Sequence, residues 1–285
     1  MRKIIWLITV SILVSISCAT TPLETIEEKP EMNLEKTVTA ETEKTVFMDV
    51  YLLSRETLSS SDGIVDGFIE YSYDEKGNFL EKTDRDGDRT LLSKMTNKIS
   101  QNNPVKTQWF SGEENEPGIY IIREYSGMNV IKETSFDIHD IAQSISDYEY
   151  DNMDQLKRWT VSTGDNVPMM VTEYEYNNGS ISKATFLTPL GVLEGYIVYS
   201  WVDGNKESEK DFDEDDNLER SVLYEYADGN LVKEIYYKKL VIDHTIEYEL
   251  DENGNAIKEK YFYRSGNLKS QKLYEYISVK KEVQQ

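Results

Sequence analysis

Fifty-three carboxylates, two histidines and a single cysteine are the groups with which this 285-residue chain could do chemistry. At that number, carboxylate pairs suited to acid/base work are almost inevitable, so their abundance alone points nowhere. The densest runs are TDRDGDRT, with Asp84, Asp86 and Asp88, and KDFDEDDNLE, with Asp211, Asp213, Asp215 and Asn217. Both alternate oxygen-bearing side chains as a calcium loop does. The glutamate that such a loop needs at its twelfth position is replaced by Met95 in the first and Val222 in the second, and no flanking helices are expected. They read as solvated acidic turns. His139 and His244 lie far apart, and neither is near a cysteine or a glycine-rich nucleophile turn, so both read as solvent-facing or turn residues. No catalytic residue, metal site or cofactor is expected. The enzyme alternative is a carboxylate-based hydrolase of envelope polysaccharide, motivated by acidic and aromatic content.

Cys18 has a different role in view. It follows a basic start at Arg2 and Lys3 and the apolar run IIWLITVSILVSI, Ile4 to Ile16. That run is shorter than the roughly 20 residues a spanning helix requires, so the segment reads as an export signal. The stretch SISC, Ser15 to Cys18, resembles the lipobox of bacterial lipoproteins, in the relaxed form of spirochaetes with Ser15 where leucine is usual. The resemblance implies a diacylglyceryl thioether on Cys18. The alternative is cleavage by the ordinary signal peptidase and a secreted protein with one free thiol. An exported cysteine without a disulfide partner, placed where acylation occurs, favours the lipoprotein.

The expected organisation is therefore a signal peptide at 1–17, a lipidated cysteine and disordered acidic tether at 18–45, and a β-repeat domain at 46–285. The tether composition, rich in Thr, Glu, Pro and Lys, supplies no apolar period. The expected location is the bacterial cell envelope, at the outer membrane or cell surface, held by lipid. A formal net charge of -22 disfavours nucleic acid, which would be repelled. A basic or neutral partner, protein or glycan, is expected.

Positioning falls to a repeat. Aligned on Tyr-x-Tyr, the chain gives Tyr71, Tyr148, Tyr174, Tyr199, Tyr224, Tyr248 and Tyr274, with degenerate copies at Asn97 and Arg123. The period is about 25 residues, short enough for two strands and two turns. In YEYADGNLVKEIYY, Tyr224 and Tyr226 project from one strand face and Glu225 from the other. ADGN supplies residues that tolerate positive φ, and LVKEIYY returns as a strand. Connections this short exclude parallel crossovers. The expected fold is all-β, an antiparallel meander of about nine two-stranded repeats in an elongated or curled sheet. A small propeller or a closed barrel is the alternative. Glu225 with Lys233 and Glu249 with Lys258 are expected to face each other across their hairpins.

YSYDEKGN, Tyr71 to Asn78, and YELDENGN, Tyr248 to Asn255, resemble the YD repeats of bacterial RHS-type surface proteins. YFYRSGNLKSQKLYEY, Tyr261 to Tyr276, is similar to the MORN-variant repeats of some bacterial surface and antitoxin proteins. Both resemblances imply a scaffold. RHS shells carry many more repeats and a C-terminal toxin domain, so a toxin-enclosing role is not expected.

The candidate binding or structural ladder is Tyr148, Tyr150, Tyr174, Tyr176, Tyr199, Trp201, Tyr224 and Tyr226. Glu149, Glu175 and Glu225 alternate onto the opposite face. Because packing alone would impose this parity, the rings are expected to cover their own return strands. The acidic face is then expected to be open to a basic partner in a salt-dependent way.

Overall fold

Turn chemistry decides where this chain reverses. In DEKGN, DIHDI, DNMDQ, DEDDN and DENGN the first aspartate accepts backbone N–H bonds two and four residues on, as Asp74 Oδ1 does from Lys76 and Asn78 at 2.9 and 2.8 Å. Asp137, Asp151, Asp213 and Asp251 repeat the arrangement. These contacts close each turn on its own side chain. At Gly127-Met128 and Lys239-Leu240 only the first residue of a two-residue connection takes positive φ, whereas both do at Asn178-Gly179, with 49° and 83°, and at Asp228-Gly229, with 50° and 80°. That is the geometry whose twist matches a tight hairpin.

The computed structural model describes residues 46–283, so Cys18, the export signal and the tether lie outside the described residues. Eighteen strands follow one another: β1 (Val46–Ser60), β2 (Val65–Tyr73), β3 (Phe79–Asp86), β4 (Leu91–Ser100), β5 (Asn103–Ser111), β6 (Glu116–Ser126), β7 (Asn129–Phe136), β8 (Ala142–Tyr150), β9 (Leu156–Thr163), β10 (Pro168–Asn177), β11 (Ser180–Leu187), β12 (Leu193–Val202), β13 (Asn205–Asp213), β14 (Leu218–Ala227), β15 (Asn230–Lys238), β16 (Val241–Leu250), β17 (Ala256–Tyr263) and β18 (Leu268–Val283). Each pairs antiparallel with its chain neighbours, and β1 pairs with β18 from Val46↔Val283 to Ser60↔Ser270. The sheet is a closed barrel. An open, elongated sheet and a propeller are both ruled out by that last pairing, which removes the two free edges.

Every paired strand edge carries one register shift. In the hairpins at the first rim the shift falls between the middle residue and the second member of the Tyr-x-Tyr motif, as at Glu149/Tyr150, Glu175/Tyr176 and Glu225/Tyr226. A bulge there increases local twist and bends the strand, which curls the sheet towards closure. Followed round the barrel, the registers return to β1 about 18 residues from where they left, a stagger that sets a strand tilt of about 37° and a backbone radius of about 16 Å.

A barrel of that width cannot be filled by its side chains. Accordingly, the buried hydrophobic residues among those described are Tyr148, Val171, Ala184 and Val222, too few for a packed core. Stability must come from the closed ladder and from contacts between neighbouring strands.

Candidate functional site: a tyrosine and glutamate ring between two charged rims

The Tyr-x-Tyr pairs do lie on one face, and that face is the covered one. Tyr148 is buried; Tyr150, Tyr174, Tyr176, Tyr199, Tyr224 and Tyr226 are half-buried; Trp201 is 37% exposed. Side chains converge on the concave side of a closed sheet and splay apart on the convex side, which accounts for the difference between the faces.

The second member of each pair leans over the preceding strand and donates to a backbone carbonyl. Tyr150 bonds Val130 O at 2.8 Å, Tyr176 bonds Leu156 O at 3.0 Å, Trp201 Nε1 bonds Ile181 O at 2.7 Å and Tyr226 bonds Lys206 O at 3.0 Å. In most hairpins the first member meets a carboxylate. Tyr148 donates to Glu133 at 2.7 Å, Tyr248 to Glu234 at 2.9 Å and Tyr274 to Glu259 at 2.6 Å, while Tyr71 and Glu56 are in contact in the same way. Across nine consecutive strands, β12 to β18 and then β1 and β2, one level of the barrel reads Tyr199, Glu209, Tyr224, Glu234, Tyr248, Glu259, Tyr274, Glu56, Tyr71. Each tyrosine faces the glutamate of its own hairpin or bonds that of the one before.

These glutamates were not singled out in the sequence. Their signal is a carboxylate 15 residues before a Tyr-x-Tyr anchor, as in Glu133 to Tyr148 and Glu259 to Tyr274. Burial, helped by the neighbouring carboxylate, pushes the phenols of Tyr71, Tyr148, Tyr224, Tyr248 and Tyr274 well above the ordinary tyrosine value. Tyr174 is pushed up to about 12 by burial alone in the main, because Ala184 faces it where other hairpins place glutamate. Cations complete the ring: Lys272 lies 3.8 Å from Glu56 and 3.5 Å from Glu259, and Lys206 lies 2.9 Å from Glu209.

The opposite face carries Glu149, Glu175 and Glu225, all exposed, but it is not uniformly acidic. Arg158, Lys183 and Lys233 are their register partners. Glu225 faces Lys233 and Glu249 faces Lys258 as the spacing predicts. The ion pairs nonetheless form with other strands or positions: Lys233 bonds Glu247 at 3.2 Å, and Lys260 bonds Glu249. Acid and base thus alternate over this face.

The excess negative charge sits in the turns. Glu113 and Glu114 between β5 and β6, and Glu214, Asp215 and Asp216 between β13 and β14, are exposed at one rim; Asp74, Glu75, Asp251 and Glu252 stand at the other. Among the described residues no three metal-ligating side chains converge, and Asp213 is held below the usual carboxylate range by Asn217 and its own turn. Asp211 bonds Arg220 at 2.7 Å. Of the two runs read as acidic turns, Asp88, Asp215 and Asn217 stand in turns, whereas Asp84 and Asp86 lie on β3 and Asp211 and Asp213 on β13. His139 occupies an exposed turn. His244 differs from the expectation of a solvent-facing residue: it is stacked between Tyr236 and Tyr261, with ring centroids 4.1 and 4.7 Å away.

No known protein family matches this chain, and no curated protein matches it significantly. Among solved structures, a porin-like protein from Bacteroides uniformis aligns over 79% of this chain and 98% of its own at 11% identity and a TM-score of 0.42. A porin-like protein from Bacteroides vulgatus aligns over 79% and 98% at 13% identity and a TM-score of 0.29. The TcdB2-TccC3-Cdc42 structure aligns over 76% of this chain and 15% of its own at 12% identity and a TM-score of 0.31.

Proposed function

We propose that the protein is a lipid-anchored, non-catalytic scaffold of the bacterial envelope that presents its acidic rims to a basic segment of a partner protein. The location rests on the export signal and on Cys18 within SISC. The observation that carries the binding reading is the distribution of charge. Many acids of the sheet meet bases or tyrosine hydroxyls, as Glu133, Glu247 and Glu259 do, while the turns add further carboxylates on a rigid closed frame. Binding residues held on loops by a stiff scaffold are a common arrangement, and clustered like charge on a rim raises the local concentration of a cationic partner. In this reading the tyrosine ladder is structural, since the hydroxyls of Tyr148, Tyr150, Tyr176 and Tyr226 are taken up by the protein's own carbonyls and carboxylates. The hairpins are taken as divergent repeats of the YD or MORN-variant kind, an assignment that rests on YSYDEKGN and YELDENGN.

The test uses the full chain in detergent and a fluorescent oligolysine peptide followed by polarisation. Binding should weaken steeply with salt. It should weaken again when Glu113, Glu114, Glu214, Asp215 and Asp216 are changed to their amides. Binding indifferent to both changes overturns the rim assignment. Sugar released from isolated envelope polysaccharide, and lost on replacing one Asp or Glu, would establish the hydrolase instead.

A further inference from the structure

We propose that a pocket on the charged face of β1 to β3 binds a small oxyanion, the carboxylate, phosphate or sulfate group of a ligand with an apolar body. It is lined by Arg55, Phe68, Glu70, Arg85 and Arg89 and encloses about 200 Å³. Three guanidiniums against one carboxylate give this pocket a positive excess in a chain whose net charge is -22.

The pocket is assembled by register. Arg55 on β1 faces Glu70 on β2, and Phe68 on β2 faces Arg85 on β3, so all four share one face. Arg89 comes from the turn after β3, where its φ of 70° turns it back over the sheet. The guanidinium carbons of Arg55 and Arg89 lie 4.5 and 5.4 Å from the centre of the same Phe68 ring. Two like charges over one ring repel unless an anion joins them.

The protein's own acids do not supply that anion fully. Glu70 lies 3.5 Å from Arg85 Nε, and Glu275 reaches Arg55 at 4.0 Å. Arg89 makes no ion pair among the described residues. Arg89 is exposed and the Arg55 side chain is 27% exposed, so both guanidiniums can be reached from the pocket. A planar guanidinium matches an oxyanion in a two-point contact. The Phe68 ring offers a surface for the apolar part of the ligand, beneath the cations that hold its charged end. At about 200 Å³, roughly the liquid volume of seven waters, the space suits a benzoate-sized ligand or the tip of a larger one.

The test is calorimetric titration of the full chain in detergent at low salt with phenyl phosphate, benzoate, inorganic phosphate and sulfate. One saturable site is expected, with phenyl phosphate bound more tightly than inorganic phosphate. Arg89→Gln, in an exposed turn with little to lose in folding, should weaken every probe about tenfold, the scale of one charge-assisted contact. Phe68→Leu should weaken phenyl phosphate and leave inorganic phosphate unchanged. Arg220→Gln, which leaves the pocket intact, should change nothing. Comparison of benzoate with the phosphates identifies the preferred oxyanion. Absence of saturable binding up to about 10 mM, a concentration that already means very weak affinity, overturns the proposal. So does binding that Arg89→Gln leaves unaltered.

Discussion

Two phenylalanine substitutions at equivalent positions of neighbouring repeats should have different consequences. Tyr148 and Tyr174 each open a Tyr-x-Tyr pair, and each sits on the covered face. Tyr148 donates to Glu133 at 2.7 Å and stacks on Trp159 with the ring planes 1° apart. Replacing it with phenylalanine keeps the stacking area and removes one bond to a carboxylate. Glu133 stays paired with Arg123, so no bare charge is left behind. The loss is then that of a single charge-assisted hydrogen bond, about 1.5 to 3 kcal/mol. In a domain of this size that lowers the Tm by about 3 to 12 °C. Tyr174 faces Ala184 and makes no such bond, so Tyr174→Phe discards only a hydroxyl with no carboxylate partner. Its Tm should stay within about 1 °C of the parent or rise slightly, as expected when an unpaired hydroxyl is removed. The assay is thermal unfolding by circular dichroism of both single variants and the double variant. Equal losses at the two positions, or a larger one at Tyr174, would refute the view that the carboxylate bonds, rather than ring burial alone, lock one repeat to the next.

Alkaline unfolding should track the same ring. The folded state holds the five phenols Tyr71, Tyr148, Tyr224, Tyr248 and Tyr274 above the unfolded value of 10.0, so their contribution is complete below that pH and is lost as pH rises beyond it. Phenolate absorbance and loss of β signal should therefore appear together above pH 10, and gradual ionisation with the fold intact would contradict this. Deleting the last hairpin, from Ala256 onward, should abolish folding, because β1 loses the partner that closes the barrel; a small, graded loss would indicate an open array. Thr172→Val should be neutral or stabilising in a denaturant melt, since Thr172 Oγ1 is buried without a partner. Incorporation of a palmitate analogue should be present in the parent chain and absent in Cys18→Ala; equal labelling would exclude lipidation at that residue.

Much of the architecture could be read from local rules. Asp, Asn and Gly at fixed offsets demand turns whatever surrounds them, and Tyr-x-Tyr with an intervening Glu fixes strand parity, so hairpins, their number and the two unlike faces follow from residue types alone. What parity cannot convey is curvature. Closure depends on one bulge in every pair of strands and on a stagger accumulated over the whole chain, and neither leaves a mark within a single 25-residue unit. The same holds for the ring of carboxylates. Glu56 lies 218 residues from Tyr274, the residue it faces, and only the β1–β18 pairing joins them. Glu149, Glu175 and Glu225 were visible as a row, yet the bases that face it, Arg158, Lys183 and Lys233, come from return strands whose register the bulges shift. Arg55, Arg85 and Arg89 drew no notice in the sequence because they are scattered among acids; pairing of three strands gathers them over one phenylalanine. Local sequence chose the strands and turns, since those depend on backbone preferences of a few residues. Tertiary structure alone decided which charges meet, because that depends on how a long sheet bends back to find its own first strand.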